Sequence, residues 1–262
     1  MIVIKYGGHA LPTPESDDPV LRAISHFHSS GKRVVLVHGG GPQVNAELAI
    51  HGIKSEMIGG YRPTTPEVFA VVQKVLSGDV LRSLVNKLIS YGSNAVGLSA
   101  GDGEITRASK MYPLINGAPT DIGLVGDIES TNPKVLVSLL DAGVLPVISP
   151  VSVTRDGQGM NVNADIAAAA IGGSLQADQV IFMTDVAGIY REFPNPDSMI
   201  HEISASELES LQEGFAEGMI PKVKAALNAL RSGAKSVRII DGRESAHLIA
   251  ALEGRGGTVV TP

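Results

Sequence analysis

Six short runs of β-branched and aliphatic residues, at positions 2–4, 34–37, 95–98, 145–148, 180–183 and 237–240, recur along the chain with longer helical stretches between them. A short, wholly apolar strand is buried on both faces, and strands of that kind alternating with helices build a mostly parallel sheet covered on either side. The expected fold is therefore α/β, a three-layer αβα sandwich around a mostly parallel central sheet. Helix starts support it. Asp18 before Pro19 reads as a cap and first helical position for a helix reaching about Ser30. Pro42 opens another toward Ile50, Pro66 a third, and Asn132-Pro133 a fourth that stops before Gly143. Residues 101–127 break the alternation and read as short, turn-rich antiparallel hairpins. There is no internal repeat and no low-complexity linker. If the chain has two lobes, 1–172 and 173–262, the Gly172-Gly173 pair is the expected seam.

Composition narrows the function. The 262 residues, 44% of them hydrophobic, suffice for a full core in one large domain or two small lobes. The net charge of −6 argues against a generic nucleic-acid binder. The absence of cysteine excludes disulfides, thiolate zinc sites and thiol catalysis, and the absence of Trp makes a base-stacking platform a poor fit. The first apolar run is too short for a signal-peptide core, and residues 135–153, interrupted by Asp141, Gly143, Pro146 and Pro150, read as helix, turn and strand, not as a membrane span. A cytoplasmic protein without a nucleic-acid or membrane partner is expected.

Open α/β sheets bind ligands at the carboxyl ends of their strands, so the residues that follow each strand carry the chemistry. After the first comes Lys5-Tyr6-Gly7-Gly8; after the second, His38-Gly39-Gly40-Gly41-Pro42. Glycines let backbone N–H groups approach an oxyanion, and a helix N-terminus adds about half a positive charge. Two such turns at neighbouring strand ends favour an anion site. Asn161-Val162-Asn163-Ala164-Asp165 precedes an Ala-rich helix, where Asn and Asp serve equally well as simple caps. Lys222 sits in a helix's first turn, against the macrodipole, which makes sense if lysine and dipole address one phosphate. Residues 184–190 (TDVAGIY) follow the fifth strand and fit a nucleotide.

Several alternatives fail on their own terms. No P-loop occurs, since His26 stands where its first glycine is required before Gly31-Lys32, and no G-x-G-x-x-G occurs, since Gly39-x-Gly41 ends at Val44. Residues 97–101 (GLSAG) match the nucleophile elbow of α/β-hydrolases, yet a turn and strand pattern follows Ser99 where a helix is required. The seven histidines form no metal-ligand pattern, and His26 and His28, two apart on a helix, read as surface residues.

Taken in order, residues 3–8 (VIKYGG), 37–43 (VHGGGPQ), 60–67 (GYRPTTPE), 120–127 (TDIGLVGD), 160–165 (MNVNAD), 184–190 (TDVAGIY), 218–223 (GMIPKV) and 240–243 (IDGR) resemble the amino acid kinase family over nearly the whole chain. The resemblance implies an N-terminal lobe that binds N-acetyl-L-glutamate and dimerises, and a C-terminal lobe that binds MgATP, with Mg²⁺ held mainly through the phosphates and no protein metal site. Lys5 and Lys222 match the lysines that stabilise the transition state, and Asp165 the aspartate that organises them. Gly40 and Gly41 match the glycines whose amides approach substrate and phosphate; Arg62, on a hairpin lid, and Asn161 match the residues that hold the acceptor. Gly8, Asp185, Val186, Ala187, Gly188, Ile189 and Tyr190, with Gly214, Phe215 and Ala216, match the nucleotide pocket.

The residue types suit that chemistry. A carboxylate acceptor, with a reference pKa of about 4.3, is already ionised at neutral pH and needs no general base. It needs positioning and positive charge around the transferring phosphoryl group. Within the family, the alternative is a kinase for aminoadipate attached to a carrier protein; such enzymes tend to lack the last glycine of HGGG and the NVNAD pattern, both present here. Uridylate, glutamate and aspartate kinases fit less well. From another class, a non-catalytic nucleotide or amino-acid sensor is argued against by the presence of both lysines and Asp165. Pro63 stands where Val is usual in the lid, and the stretch at 253–258 (EGRGGT) is shorter than in arginine-inhibited members. The chain opens directly on strand residues, without the helix that joins dimers into hexamers, so a homodimer insensitive to arginine is expected.

Overall fold

The computed structural model describes residues 1–7, 17–211, 214–215 and 219–262. In chain order the first elements are β1 (Ile2–Tyr6), α1 (Pro19–Ser29), β2 (Val34–His38), α2 (Gly41–Ile50), α3 (Pro66–Lys74), α4 (Leu81–Ser90) and β3 (Ala95–Ser99). There follow β4 (Thr106–Lys110), β5 (Leu114–Ile115), β6 (Ala118–Pro119), β7 (Val125–Thr131), α5 (Lys134–Asp141), β8 (Leu145–Ser149), β9 (Val151–Val153) and β10 (Gly159–Val162). The remainder is α6 (Ala164–Ser174), β11 (Gln179–Thr184), β12 (Ile189–Tyr190), β13 (Met199–Ile200), β14 (Glu202–Ser204), α7 (Ala205–Ser210), α8 (Ile220–Arg231), β15 (Val237–Asp241), α9 (Ser245–Leu252) and β16 (Thr258–Thr261).

Eight strands form one sheet in the order β14-β16-β15-β11-β1-β2-β8-β3. The six strands read from the sequence are the contiguous run from β15 to β3, and every pairing among them is parallel. The other two, β14 and β16, complete one edge, with β16 antiparallel to β15. Alternation along the strands sorts side chains to two faces. Val3, Val35, Val37, Val180 and Phe182 pack against α5, α6 and α8, whereas Ile4, Tyr6, Val34, Leu36 and Ile181 pack against α1, α2, α3, α4 and α9. Four strands of the sheet come from residues before 172 and four from residues after 173, and the halves meet where β1 lies beside β11. Gly172 and Gly173 lie within the last turn of α6, where added Cβ atoms would meet Val180 and Ser232.

The helix starts follow their capping chemistry. Asp18 accepts from the Val20 and Leu21 amides with Pro19 at the first helical position, and Thr65 caps α3 ahead of Pro66. One element departs from any pattern in the sequence: α3 and α4 are joined without a break by a π-helical turn at Val75–Val80, which aims Leu76 at the carboxyl end of β2. The segment 101–127 also differs from a plain set of hairpins. Its strands β4 and β7 are antiparallel, but they close with β9 and β10 into a four-stranded barrel of mixed sense. Only the small β5–β6 hairpin stands alone within it.

Candidate active site

The cleft lies where α/β sheets place their ligands, at the carboxyl ends of β1 and β2. It has a volume of about 260 Å³ and brings Lys5, Gly39, Gly40, Gly41, Arg62, Asn161 and Asp165 into one lining. Lys5 shares the sheet face of Val3, the face covered by α6, and its Nζ stands 2.9 Å from Asp165 Oδ1 in that helix's first turn. The open question between caps and site residues in the Asn161–Asp165 stretch is thereby divided. Asn163 is the cap, accepting from the Asp165 and Ile166 amides, while Asp165 is left for the lysine.

The two glycine turns touch. A Cβ at Gly7 would lie 2.9 Å from Gly39 N, and the Gly39 N–H donates to the Tyr6 carbonyl at 2.8 Å. At Gly40 a Cβ would fall 2.6 Å from Leu76, the residue presented by the π-helical turn, so the close approach requires glycine. Helix α2 starts at once beyond it with no side-chain cap, leaving its first-turn N–H groups for a ligand.

Arg62 follows a tight turn in which Ile58 and Tyr61 pair and Gly59 and Gly60 adopt positive φ. Its Nη2 donates to Asn45 on α2, while Nη1 is buried and has no partner among the described residues. Burial holds its guanidinium below the ordinary arginine range. The Arg62 carbonyl accepts from Thr64 Oγ1 at 2.8 Å, and Asn161 Nδ2 donates to the same hydroxyl at 3.0 Å. Thr64 also receives the backbone of residues 122–124 on both sides, with its N–H donating to the Ile122 carbonyl and its carbonyl accepting from the Leu124 N–H. Gly123 has φ +79, and a Cβ there would sit 2.2 Å from the Thr64 carbonyl oxygen. The GYRPTTPE and TDIGLVGD stretches are thus one structural clamp.

The residues that the resemblance assigns to the nucleotide lie apart from that lining. Lys222 Nζ stands 3.4 Å from Asp185 Oδ1. Burial, the largest single influence on Asp185, pushes its carboxyl up, but the Lys222 charge, its own backbone amide and Arg243 together hold it below the usual range. Tyr190, Gly214 and Phe215 line a second cleft of about 390 Å³ with Phe193 and Met219. Val186 is tied back to Thr184, its N–H donating to the threonine hydroxyl and its carbonyl accepting from it. Ala187 is half-buried in the same turn. Gly188 packs against Thr258, and Ile189 is fully buried with its N–H donating to Thr258 Oγ1. Gly8 and Ala216 lie outside the described residues. Ser99 belongs to a chain of hydroxyls with Ser77 and Ser149, and a 3₁₀ turn follows it in place of an elbow helix. Asn45 was not read from the sequence, and His38 and Thr64 entered only as members of the HGGGP turn and the GYRPTTPE stretch, without a role of their own; the further signal was a histidine ending the otherwise apolar strand β2.

The sequence profile of the amino acid kinase family matches residues 1–241. This chain belongs to that family. Among relatives, an acetylglutamate kinase of Kineococcus radiotolerans is 41% identical, covering 100% of this chain and 90% of its own. One from Cutibacterium acnes is 43% identical over 97% of this chain and 84% of its own. Among solved structures, N-acetylglutamate synthase from Neisseria gonorrhoeae, complexed with coenzyme A and N-acetyl-glutamate, superposes with a TM-score of 0.83 at 26% identity. This chain is covered completely and spans 59% of the synthase chain. Carbamate kinase from Giardia lamblia bound to AMP-PNP, at 22% identity and TM-score 0.68, shares the amino acid kinase fold. Among the described residues no helix is long and apolar enough to cross a membrane.

Proposed function

We propose that this amino acid kinase transfers the γ-phosphoryl group of ATP to the side-chain carboxylate of N-acetyl-L-glutamate, giving N-acetyl-L-glutamyl 5-phosphate and ADP in arginine biosynthesis. The observation that carries the reading is the buried, partnerless Nη1 of Arg62 beside the uncapped start of α2, in a cleft that also holds Lys5. A buried donor without a partner is destabilising, and a carboxylate satisfies it with a charge-assisted bond. Full-length relatives at about 40% identity that bear this activity in their names support the same acceptor.

In this reading Arg62 and Asn161 hold the acceptor, which is an anion before the reaction begins. The Gly40 and Gly41 amides, the α2 dipole and Lys5 face the phosphoryl group as charge spreads over its oxygens, and Lys222 supplies charge from the nucleotide side. Asp165 keeps Lys5 placed. Residues 1–172 form the acceptor half and the homodimer contact, and residues 173–262 the ATP half, with the nucleotide between Asp185–Tyr190 and Gly214–Ala216. Asp165 is the carboxylate in the cleft lining, and no cluster of three or more His, Cys, Asp or Glu lies among the described residues, a donor set suited to Mg²⁺ carried mainly by phosphate oxygens. When bound there the cation neutralises charge on the β- and γ-phosphates.

The test is ATP consumption with N-acetylglutamate, glutamate, aminoadipate and UMP side by side, trapping acyl phosphate with hydroxylamine. Hydroxamate is expected with N-acetylglutamate. Free glutamate should be poor, because its α-ammonium enters a pocket otherwise met by a neutral amide. Comparable turnover of the two overturns the assignment, and nucleotide binding with no turnover of any acceptor returns the sensor reading.

A further inference from the structure

His38 ends β2 on the face shared with Tyr6, Val34 and Leu36, and it is fully buried. Its Nδ1 lies 2.8 Å from the Gly39 carbonyl oxygen. A carbonyl only accepts, so Nδ1 carries the proton. Burial holds the ring's pKa at about 4, so it is neutral near pH 7 and Nε2 is a bare acceptor, for which no partner exists among the described residues. An unpaired buried acceptor is destabilising, and leucine would fill the site without it. Among the described residues, the one polar contact that the ring makes is therefore the contact to Gly39.

That contact bears on the peptide that most needs a constraint. Glycine populates both signs of φ, so a Gly-Gly peptide turns over at little steric cost. The Gly39 N–H is already fixed on the Tyr6 carbonyl. That N–H belongs to the preceding His38–Gly39 peptide, so the Gly39–Gly40 plane, which can still turn about the Gly39 Cα, is held by the contact of its carbonyl with His38. In a planar trans peptide C=O and N–H point in opposite directions, so the Gly40 N–H points away from the ring. Gly40 lines the cleft, and its N–H has no acceptor among the described residues.

We propose that His38 is a positioning residue for phosphoryl transfer: its Nδ1–H anchors the Gly39 carbonyl and thereby keeps the Gly40 N–H aimed into the cleft, at the transferring group. This rests on the kinase reading of the site given above. A donor fixed before charge develops stabilises the transition state without reorganising, whereas a peptide free to flip does so only part of the time.

Three substitutions separate this role from packing. Asparagine places an N–H at the δ position of the ring, glutamine places one at the ε position, and leucine fills the volume with no donor. His38→Leu and His38→Gln are expected to lose about 10- to 100-fold in kcat, with KM for acceptor and ATP within about threefold, and His38→Asn to recover most of the loss. Thermal unfolding is measured alongside, because a packing role makes activity follow stability, while the positioning role leaves leucine stable and slow. A folded His38→Leu enzyme with wild-type kcat overturns the proposal, as does an Asn variant no better than Gln. Titration with inorganic pyrophosphate, read at the Gly40 amide by NMR, tests the contact without turnover: the wild-type resonance should shift and that of His38→Leu should not. Wild-type enzyme that shows this difference but fails to phosphorylate N-acetylglutamate sinks the functional reading and leaves His38 in place; equal shifts in the two proteins sink the role of His38 alone.

Discussion

At the carboxyl ends of β1 and β2, Gly39 is pinned by Tyr6 and His38, Leu76 closes on Gly40, and Thr64 joins Arg62 to Asn161. At the carboxyl end of β11, Asp185 has a side chain 75% exposed and meets Lys222 at 3.4 Å. The first region is ordered by buried backbone and hydroxyl contacts, the second by an ion pair open to water. Under the proposed function, the difference follows from what each side would have to do. Choosing one small acid over another takes donors held to fractions of an ångström before the ligand arrives. Polyphosphate is densely charged and organises lysines for itself, so its partners can wait at the surface.

Lys222→Ala is the substitution expected to do most. Removing a fixed cation from a developing charge costs about 2.7–4 kcal/mol, so kcat should fall roughly 100- to 1,000-fold while acceptor KM barely moves. A matching rise in acceptor KM would show that the two regions are not separate in function. Acid probes the buried region next. The folded pKa of His38, about 4, lies below the unfolded value of 6.5. The unfolded chain therefore binds the extra proton first, and the stability contribution, complete above pH 6.5, is lost as pH falls toward 4. Between pH 7.5 and 5 this term should remove roughly 2 kcal/mol of unfolding free energy in denaturant titrations, and His38→Leu should lack it. Buried Asp18, whose carboxyl is raised mainly by burial, works in the opposite sense, since folding favours its protonated form. An unchanged slope in the leucine variant would place the acid sensitivity elsewhere. Comparable in size to the acid effect is that of Arg62→Ala, which should raise acceptor KM roughly 10- to 100-fold, the worth of a charged hydrogen bond, with kcat within about threefold. Were kcat to fall instead, Arg62 would have to be moved from holding the acceptor to the chemistry.

The inner sheet was legible because each parallel strand is buried on both faces and so appears as an unbroken apolar run, and because Asp18, Pro19 and Pro66 announce helix starts by chemistry local to the chain. The glycine turns were legible for the same reason. The barrel was not, since β9 and β10 reach back to β4 and β7 across tens of residues and each strand is too short to show a period. The edge strands β14 and β16, three and four residues long, carry as little signal. The π-helical turn at Val75–Val80 has no sequence mark, because its extra residue is set by how Leu76 and Ser77 pack. In the site, Lys5 stands out as a lysine at a strand end before a glycine turn, and Arg62 and Asp165 are picked out by the family resemblance, whereas Thr64 and His38 act through the backbone of neighbours and gain a role only when those neighbours are placed.

The junction of β1 with β11 is a run of registered pairs from Ile2↔Gln179 to Lys5↔Phe182, and one apolar core containing Val3, Val35, Phe182 and Val237 extends beneath both strands. A chain severed between α6 and β11 would give two fragments, each with a strand from the sheet's interior turned into a bare edge. Such edges recruit whatever strand fits them. Here each fragment is the other's template, in hydrogen-bond register and in side-chain pattern, so the pieces should reassemble when mixed and aggregate when kept apart.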